Sequence, residues 1–431
     1  MSLRTALARK TQWSTLLTFA RKVRSSADWR EARGGTVGLG IRNQIELRVG
    51  SGRITRCGVL MDFDYVLVPG LISLLAILIV WFSVRRWRSL SARVSHSRRR
   101  LAERIVLVAV ILVMVALAGC SEYNSLARLW FRAHNPAPGA IYIVDSTRMR
   151  LYCIGNGEPT VVLESALGNG GLVWGGVQPI LAKSTRVCSY DRAGYGWSDA
   201  RTGARDADHI ADELHGLLRQ AKVSGPIVLM GHSIAGLYVR DFATRYPEGL
   251  VGIVFVDAAT PLQEENPAFK DTSAKARMGV QLGRVMSVLG VPRLQGECAQ
   301  SFPGFDASMN RIGAEDYCVT EYATMSAELD QMPQSGRETV RTGPYGALPI
   351  LIFSQDGSGE DATSAMKQAW NQMQEDLKKL STRSRRIIAR NSGHYIQLDR
   401  YELIEKEVPM FIEQIRDTVP DSPNYGSTVT E

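Results

Sequence analysis

Short apolar runs alternate with longer amphipathic stretches over most of this chain. Between residues 139 and 417 the alternation predicts strands over 139–146, 149–154, 160–164, 185–190, 226–230, 251–257, 348–354 and 386–389. Helical periodicity predicts helices over 171–183, 206–221, 363–380 and 401–417. Since strands that alternate with helices form parallel pairs, we expect an α/β domain with helices on both faces of the sheet.

One connection in this pattern is too long to be an ordinary loop. About 90 residues of helical, polar and Met-rich sequence separate the strand that ends at Asp257 from the strand that starts at Leu348. We therefore expect a helical lid over residues 258–347, between strands six and seven. Residues 418–431 are rich in Thr, Pro, Ser, Asn and Gly, and this composition predicts a disordered tail.

Two apolar segments precede the α/β domain. Tyr65 to Val84 is about 20 residues long, which is enough to span a bilayer, so we assign residues 61–84 to a transmembrane segment. Residues 105–116 are wholly apolar and are followed by Leu117-Ala-Gly-Cys120. A basic run before them makes residues 105–120 typical of a secretory signal or of a second membrane segment. The Leu-Ala-Gly-Cys sequence resembles a bacterial lipobox, so Cys120 is a candidate for lipidation; the alternative is a plain anchor.

Charge is distributed unevenly along the chain. Residues 85–104 hold eight arginines and one acidic residue, which places this loop in the cytoplasm and the α/β domain outside it. Residues 1–60 hold twelve basic and three acidic residues, an unfavourable composition for export. We therefore expect this basic leader to be untranslated, with a start at Met61 or a later codon. The net charge of +8 belongs to the N-terminal segments, because residues 121–431 carry −6. No nucleic-acid motif accompanies them.

The candidate nucleophile is Ser233. It lies in Gly231-His-Ser-Ile-Ala-Gly, between a predicted strand and a predicted helix. A strand-to-helix elbow exposes a serine Oγ and directs the helix N-terminus towards it, and the strained turn needs small neighbouring residues. Gly231, Ala235 and Gly236 meet this need, with Ala235 at the second glycine of the Gly-x-Ser-x-Gly pattern.

A histidine far downstream is the candidate base. Two of the six histidines flank the membrane segments, two lie on the helix over 206–221, and His232 points away from the serine in an elbow. His394 follows Asn-Ser-Gly at the end of the last predicted strand, in a loop. A histidine in such a loop can take the proton of an attacking serine, so we interpret His394 as the general base.

Four segments together resemble the α/β-hydrolase-fold serine hydrolases. They are Val161-Val-Leu-Glu-Ser-Ala-Leu-Gly-Asn-Gly, Tyr190-Asp-Arg-Ala-Gly-Tyr-Gly-Trp-Ser, Gly231-His-Ser-Ile-Ala-Gly and Ser392-Gly-His. The resemblance covers residues 138–417. It implies the α/β-hydrolase fold: a mainly parallel eight-stranded sheet flanked by helices, and a Ser-His-acid triad.

The resemblance leaves the triad acid open. It favours Asp257, at the end of strand six, over Asp356, which follows strand seven, and over Asp361. It also implies two backbone N–H donors for the oxyanion. One belongs to Ile234, the residue after the nucleophile, and the other to Leu167, in Ser165-Ala-Leu, where the family usually has His-Gly-x.

The sheet order of this fold places strands two and four side by side, which favours a Cys153–Cys188 disulfide. We also favour Cys298–Cys318, because both residues lie in the predicted lid. Such pairs suit an oxidising compartment. No Cys-x-x-Cys or His/Cys cluster indicates a metal, and we predict no cofactor.

The resemblance implies a membrane-tethered, extracytoplasmic serine hydrolase that cleaves carboxylic esters, with apolar or lipid-like small molecules as substrates. Other serine chemistry on this fold stays open: peptidase, thioesterase, acyltransferase or C–C hydrolase. A non-catalytic surface lipoprotein is a further alternative. Epoxide hydrolases and dehalogenases are disfavoured, because they carry Asp at the elbow where this chain has Ser233.

Overall fold

The apolar strands of the sequence assemble into one sheet. The computed structural model describes residues 63–91, 98–261, 263–318, 321–357, 363–417 and 425–431; the leader over residues 1–60 and the start at Met61 lie outside them. The strands run in the order β1-β2-β4-β3-β5-β6-β7-β8-β9, and all pairs from β4 onward in this order are parallel. Their bounds are β1 Ala140–Val144, β2 Thr147–Ile154, β3 Thr160–Glu164, β4 Val187–Tyr190, β5 Ile227–His232, β6 Leu250–Val256, β7 Ile350–Gln355, β8 Ser384–Ala389 and β9 Thr428–Thr430.

Helices precede the sheet and cover both of its faces. They are α1 Val68–Ser91, α2 Arg98–His134, α3 Ala207–Gln220, α4 Ala235–Arg245, α5 Lys270–Val288, α6 Ala307–Cys318, α7 Tyr322–Thr339, α8 Ser364–Asp376 and α9 Tyr401–Arg416. Short helical turns occupy Phe63–Leu67, Gly171–Trp174, Gln178–Leu181, Val291–Leu294, Glu297–Ala299, Leu377–Leu380 and Ile396–Asp399.

The centre of the sheet is buried on both sides. Along β5, Leu229 packs in the core on the side of α3 and α4, whereas Val228 and Met230 pack in the core on the side of α9. A strand buried on both faces is a continuous apolar run, as the sequence shows here. The α/β-hydrolase fold predicted from the sequence is confirmed, and its core holds the carboxyl ends of the parallel strands at one edge.

Three expectations about secondary structure differ from the structure: the number of strands, the disordered tail and the helix over 171–183. The sheet has nine strands rather than eight, because Thr428–Thr430 adds to the edge of β8, with Glu431 N donating to Ile388 O at 2.9 Å. The tail is therefore ordered over residues 425–431, and residues 418–424 lie outside the described residues. The helix predicted over 171–183 is split into two single turns, because two adjacent glycines at 175 and 176 separate them.

The long connection between β6 and β7 is helical, as predicted. It contains α5, α6 and α7 and forms the lid. Both predicted disulfides are present: Cys298–Cys318 lies within the lid, and Cys153–Cys188 joins facing residues of β2 and β4.

Helices α1 and α2 are long and apolar enough to cross a membrane, by length and composition. They pair side by side: Ser73 Oγ donates to Glu122 Oε1 at 2.6 Å, and Arg86 forms a 3.3 Å ion pair with Glu103. Helix α2 continues through Cys120 without a break to His134. The two helices thus form a hairpin whose second arm leads directly into the α/β domain.

Candidate active site

Ser233 occupies a sharp turn between β5 and α4. Its φ is +59°, in the left-handed region that residues with a side chain seldom adopt. Its N–H donates to Val256 O at 3.2 Å and its carbonyl accepts from Ala259 N at 2.7 Å, so the end of β6 holds the turn in place. A Cβ at Gly236 would lie 2.5 Å from Ala259 O, which explains why this neighbour must be glycine.

The structure brings Ser233, His394 and Asp257 together. His394 lies in the loop after β8, where its Nε2 accepts from Ser233 Oγ at 2.8 Å. On the other side of the ring, His394 Nδ1 donates to Asp257 Oδ2 at 2.6 Å. The Asp257 side chain is fully buried, whereas the His394 side chain is partly open to the cavity described below. The three side chains therefore form one hydrogen-bonded relay.

Several donors converge on the Asp257 carboxylate. Gln355 donates to it twice, from Nε2 to Oδ2 at 2.9 Å and from its backbone N–H to Oδ1 at 3.1 Å. Trp370 Nε1 adds a 2.8 Å hydrogen bond to Oδ1. These donors orient the carboxylate, and an ionised carboxylate can only accept. Nδ1 of His394 must then carry the proton, which leaves Nε2 free to accept from the serine.

Asp356, the alternative acid, makes a different contact. Its Oδ2 accepts from the backbone N–H of Asn391 at 2.8 Å, in the loop that leads to His394. It lies in the wall of the cavity, but the hydrogen bond to His394 Nδ1 comes from Asp257. Asp361 lies outside the described residues.

His232 has a contact that the sequence did not reveal. Its ring points away from Ser233, and its Nε2 donates to the backbone carbonyl of His394 at 2.8 Å. Its Nδ1 accepts from Gln397 Nε2 at 3.0 Å. Burial, reinforced by the nearby His394, lowers the pKa of His232 well below its usual value, so the ring stays neutral. His232 therefore supports the loop that carries the candidate base.

The two predicted oxyanion donors lie beside the serine. Leu167, after β3, and Ile234, at the start of α4, both line the same cavity as Ser233. Within the described residues, neither backbone N–H donates to a protein acceptor. The two N–H groups therefore have no protein acceptor in the described part of the chain, and both residues border the cavity that Ser233 lines.

A cavity of about 470 Å³ opens onto Ser233 and His394. Most of its wall is apolar, with residues from the lid, from α8 and from the loop after β3: Leu167, Phe269, Ala276, Leu329, Met332, Met366 and Trp370. Glu264 and Lys367 are charged residues in the same wall. A cavity of this size and lining suits a small molecule with a sizeable apolar part. Among the described residues, no group of three or more His, Cys, Asp or Glu could hold a metal ion.

Comparison with known proteins defines the class of the molecule. The model of the "Alpha/beta hydrolase family" matches residues 161–407, more than half of the chain, and the chain belongs to this family. An uncharacterized protein of Schizosaccharomyces pombe is 32% identical over 244 residues, which are 54% of this chain and 42% of the relative. An uncharacterized protein of Bacillus subtilis is 30% identical over 224 residues, 50% of this chain and 68% of the relative.

Among solved structures, an esterase from Exiguobacterium antarcticum superposes with a TM-score of 0.50 at 16% sequence identity. The superposition covers 64% of this chain and 99% of the esterase. At this identity the similarity shows the fold alone. The match to the first of the two curated relatives spans less than half of that relative's length, so what the whole protein acts on is a matter for proposal.

Proposed function

We propose that this protein is a membrane-tethered serine hydrolase that cleaves carboxylic esters with apolar or lipid-like groups outside the cytoplasm. The observation that carries the proposal is the relay from Ser233 through His394 to Asp257, at the wall of an apolar cavity. In this proposal Ser233 is the nucleophile, His394 is the general acid and base, and Asp257 is the triad acid.

The first half-reaction forms an acyl-enzyme. Ser233 Oγ attacks the ester carbonyl carbon while its proton moves to His394 Nε2, and Asp257 stabilises the imidazolium that results. The carbonyl oxygen becomes an oxyanion, which accepts hydrogen bonds from the N–H groups of Leu167 and Ile234. The bond from carbon to the leaving oxygen then breaks, and His394 returns the proton to that oxygen as the alcohol departs.

The second half-reaction releases the acid. A water molecule gives a proton to His394 Nε2 and attacks the acyl carbon, which forms a second oxyanion at the same two N–H groups. The bond between the acyl carbon and Ser233 Oγ then breaks, and Ser233 Oγ takes the proton back from His394 Nε2. The ester, one water molecule and the side chains of the protein account for every atom and proton in the reaction.

Three observations support the location outside the cytoplasm. The hairpin of α1 and α2 is apolar enough to cross a membrane, and the arginine-rich segment over 85–104 joins its arms. The two disulfides suit an oxidising compartment. Cys120 is not disulfide-bonded, and its lipidation stays a prediction. Helix α2 passes through this position without a break.

Hydrolysis of p-nitrophenyl esters by the full chain in detergent tests the proposal. We expect kcat/KM to rise from acetate through butyrate to octanoate, because each CH₂ group buried in the cavity contributes about 0.8 kcal/mol. In Ser233→Ala the rate should fall by at least about 10³-fold. Faster release from the matched p-nitroanilides than from the esters would favour a peptidase. A folded sample that turns over neither substrate would favour a binding protein.

A further inference from the structure

Arg192, in the loop after β4, has a hydrogen-bond partner for every donor of its guanidinium. Nε and Nη2 donate to the two carboxylate oxygens of Glu328 at 2.9 and 2.8 Å, and Nη1 donates to Glu164 Oε1 at 2.7 Å. The two remaining N–H groups donate to backbone carbonyls, those of Ser165 at 2.6 Å and Ala166 at 3.0 Å. Since a guanidinium has five N–H donors, this fully buried side chain is satisfied.

The Arg192 contact with Ala166 O, together with a 3.2 Å hydrogen bond from Asn169 N to the same oxygen, holds the peptide group that joins Ala166 to Leu167. The carbonyl of Ala166 and the N–H of Leu167 belong to one planar trans peptide group, in which they point in opposite directions. A donor that holds the oxygen therefore also sets the direction of the N–H. A charged donor polarises the peptide group as well, which strengthens its N–H as a donor.

The carboxylate that holds Arg192 comes from the lid. Glu328 lies on α7, next to Leu329 and one turn before Met332, both of which line the cavity. A second path joins the same carboxylate to the same loop: Tyr195 Oη donates to Glu328 Oε2 at 3.1 Å and accepts from the N–H of Gly168 at 3.2 Å. The lid is thus connected to the loop after β3 at two points.

Charge keeps this arrangement together. Although burial acts to lower it, the neighbouring carboxylates of Glu328 and Glu164 raise the pKa of Arg192, so the guanidinium stays charged. Burial raises the pKa of Glu164 to about 7 against the opposing effect of Arg192. Glu328 accepts two hydrogen bonds from Arg192, from Nε and Nη2, whereas Glu164 accepts one, from Nη1. A buried ion pair often contributes little net free energy to folding. Its position at the loop after β3 suggests that it orients this loop.

We propose that Arg192 and Glu328 are positioning residues, which hold the N–H of Leu167 where the oxyanion forms. The lid in this arrangement completes the oxyanion hole and also covers the cavity. This inference rests on the proposed function, because it assigns a role in the same reaction.

The test compares two buried carboxylates that both bind Arg205. Glu328 accepts from Arg205 Nη2 at 3.3 Å, and Glu213 accepts from Arg205 Nη1 at 2.6 Å, but it is Glu328 that binds Arg192. We expect Glu328→Gln to lower kcat for p-nitrophenyl butyrate by about 10- to 100-fold with KM within about twofold, as for a weakened oxyanion donor. Glu213→Gln, the matched control, should keep kcat within about threefold of wild type.

A second readout separates positioning from a general structural effect. A trifluoromethyl ketone adds to the active serine as an oxyanion, so its Ki should rise in Glu328→Gln by the same factor as kcat falls. If Glu328→Gln does not fold, Tyr195→Phe removes the other connection to the loop, and it should change kcat and Ki in the same direction by about 3- to 10-fold.

Unchanged kcat and Ki in the folded variants would overturn the inference, and so would a rise in KM alone. Equal losses in Glu328→Gln and Glu213→Gln would also overturn it, because they would indicate a structural effect of the buried charges. Wild type in the same assay separates the two proposals: wild type that neither hydrolyses the ester nor binds the ketone overturns the proposed function itself.

Discussion

Two residues of the proposed triad occupy backbone conformations that few residues with a side chain adopt. Ser233 has a φ of +59° and Asp257 a φ of +43°. Each residue directly follows a parallel strand, and the hydrogen bonds of that strand to its neighbours stabilise the unfavourable backbone conformation. The serine and the carboxylate are fixed in this way before any substrate binds.

Asp257 and Asp356 offer a direct test of the acid. Asp257→Asn should lower kcat by about 10³- to 10⁴-fold, because its amide would donate to His394 Nδ1 and favour the wrong tautomer. Asp356→Asn keeps an oxygen that can accept from Asn391 N, so we expect a loss of less than about tenfold. Steady-state hydrolysis of p-nitrophenyl butyrate measures both. The reverse order of losses would make Asp356 the acid.

Local patterns in the sequence identified Ser233 and His394 as candidates, and the structure places these two side chains within hydrogen-bond distance of each other. The small residues around Ser233 and the Asn-Ser-Gly before His394 are such patterns. The acid was ambiguous, because Asp257 and Asp356 follow adjacent strands that end at the same edge of the sheet. Trp370 and Gln355 were missed, since nothing near them in the sequence indicates that they meet at one carboxylate.

At the scale of elements, the contact between α2 and the lid stands out. Asn124 Nδ2 donates to Ser287 O at 2.8 Å, and its Oδ1 accepts from Arg293 Nε at 2.9 Å. Ser121 Oγ donates to Val288 O at 3.0 Å, at the end of α5. These polar groups are buried, so α2 supports the C-terminal end of α5. The residues of α5 that line the cavity lie at its N-terminal end.

Substitution of Asn124 tests this support. Asn124→Ala removes the acceptor of Arg293 Nε and one of the donors to the Ser287 carbonyl, and the loss of these buried hydrogen bonds costs about 1–3 kcal/mol. We expect trypsin to cleave after Arg293 roughly tenfold faster or more, because the local opening equilibrium shifts accordingly. Leu126→Ala on the same helix, where the side chain is 63% exposed, is the control and should cleave as wild type does. Equal rates for wild type and Asn124→Ala would show that α2 does not stabilise the lid.

Elements that depend on contacts between distant segments were the ones that sequence patterns missed. Strand β9 forms only because β8 offers an edge to it, and its own short sequence within a Ser/Thr-rich tail gave no such indication. The strands of the core, in contrast, follow from their short apolar runs, and the helical lid follows from the length and composition of the connection between β6 and β7. Local sequence patterns thus predicted the core strands, whereas β9 depends on pairing with the exposed edge of β8.

At the scale of the whole molecule, the hairpin and the α/β domain form a continuous structure in the part of the chain described. Tyr65 lies in the helical turn that precedes α1, and its Oη forms a 2.7 Å hydrogen bond with Ser287 Oγ of the lid. The turn before α1 and the second half of α2 therefore both contact the α/β domain. In the orientation proposed above, the candidate active site lies on the same side of the membrane as these two contacts.

Covalent labelling determines whether Ser233 is an activated nucleophile, on which the proposed function depends. The full chain in detergent is treated with a fluorophosphonate probe, beside Ser233→Ala, and the labelled peptide is identified by mass spectrometry. We expect a single phosphonylated residue, Ser233, and no label in the variant. Label at another residue, or no label on folded wild type, would contradict this expectation.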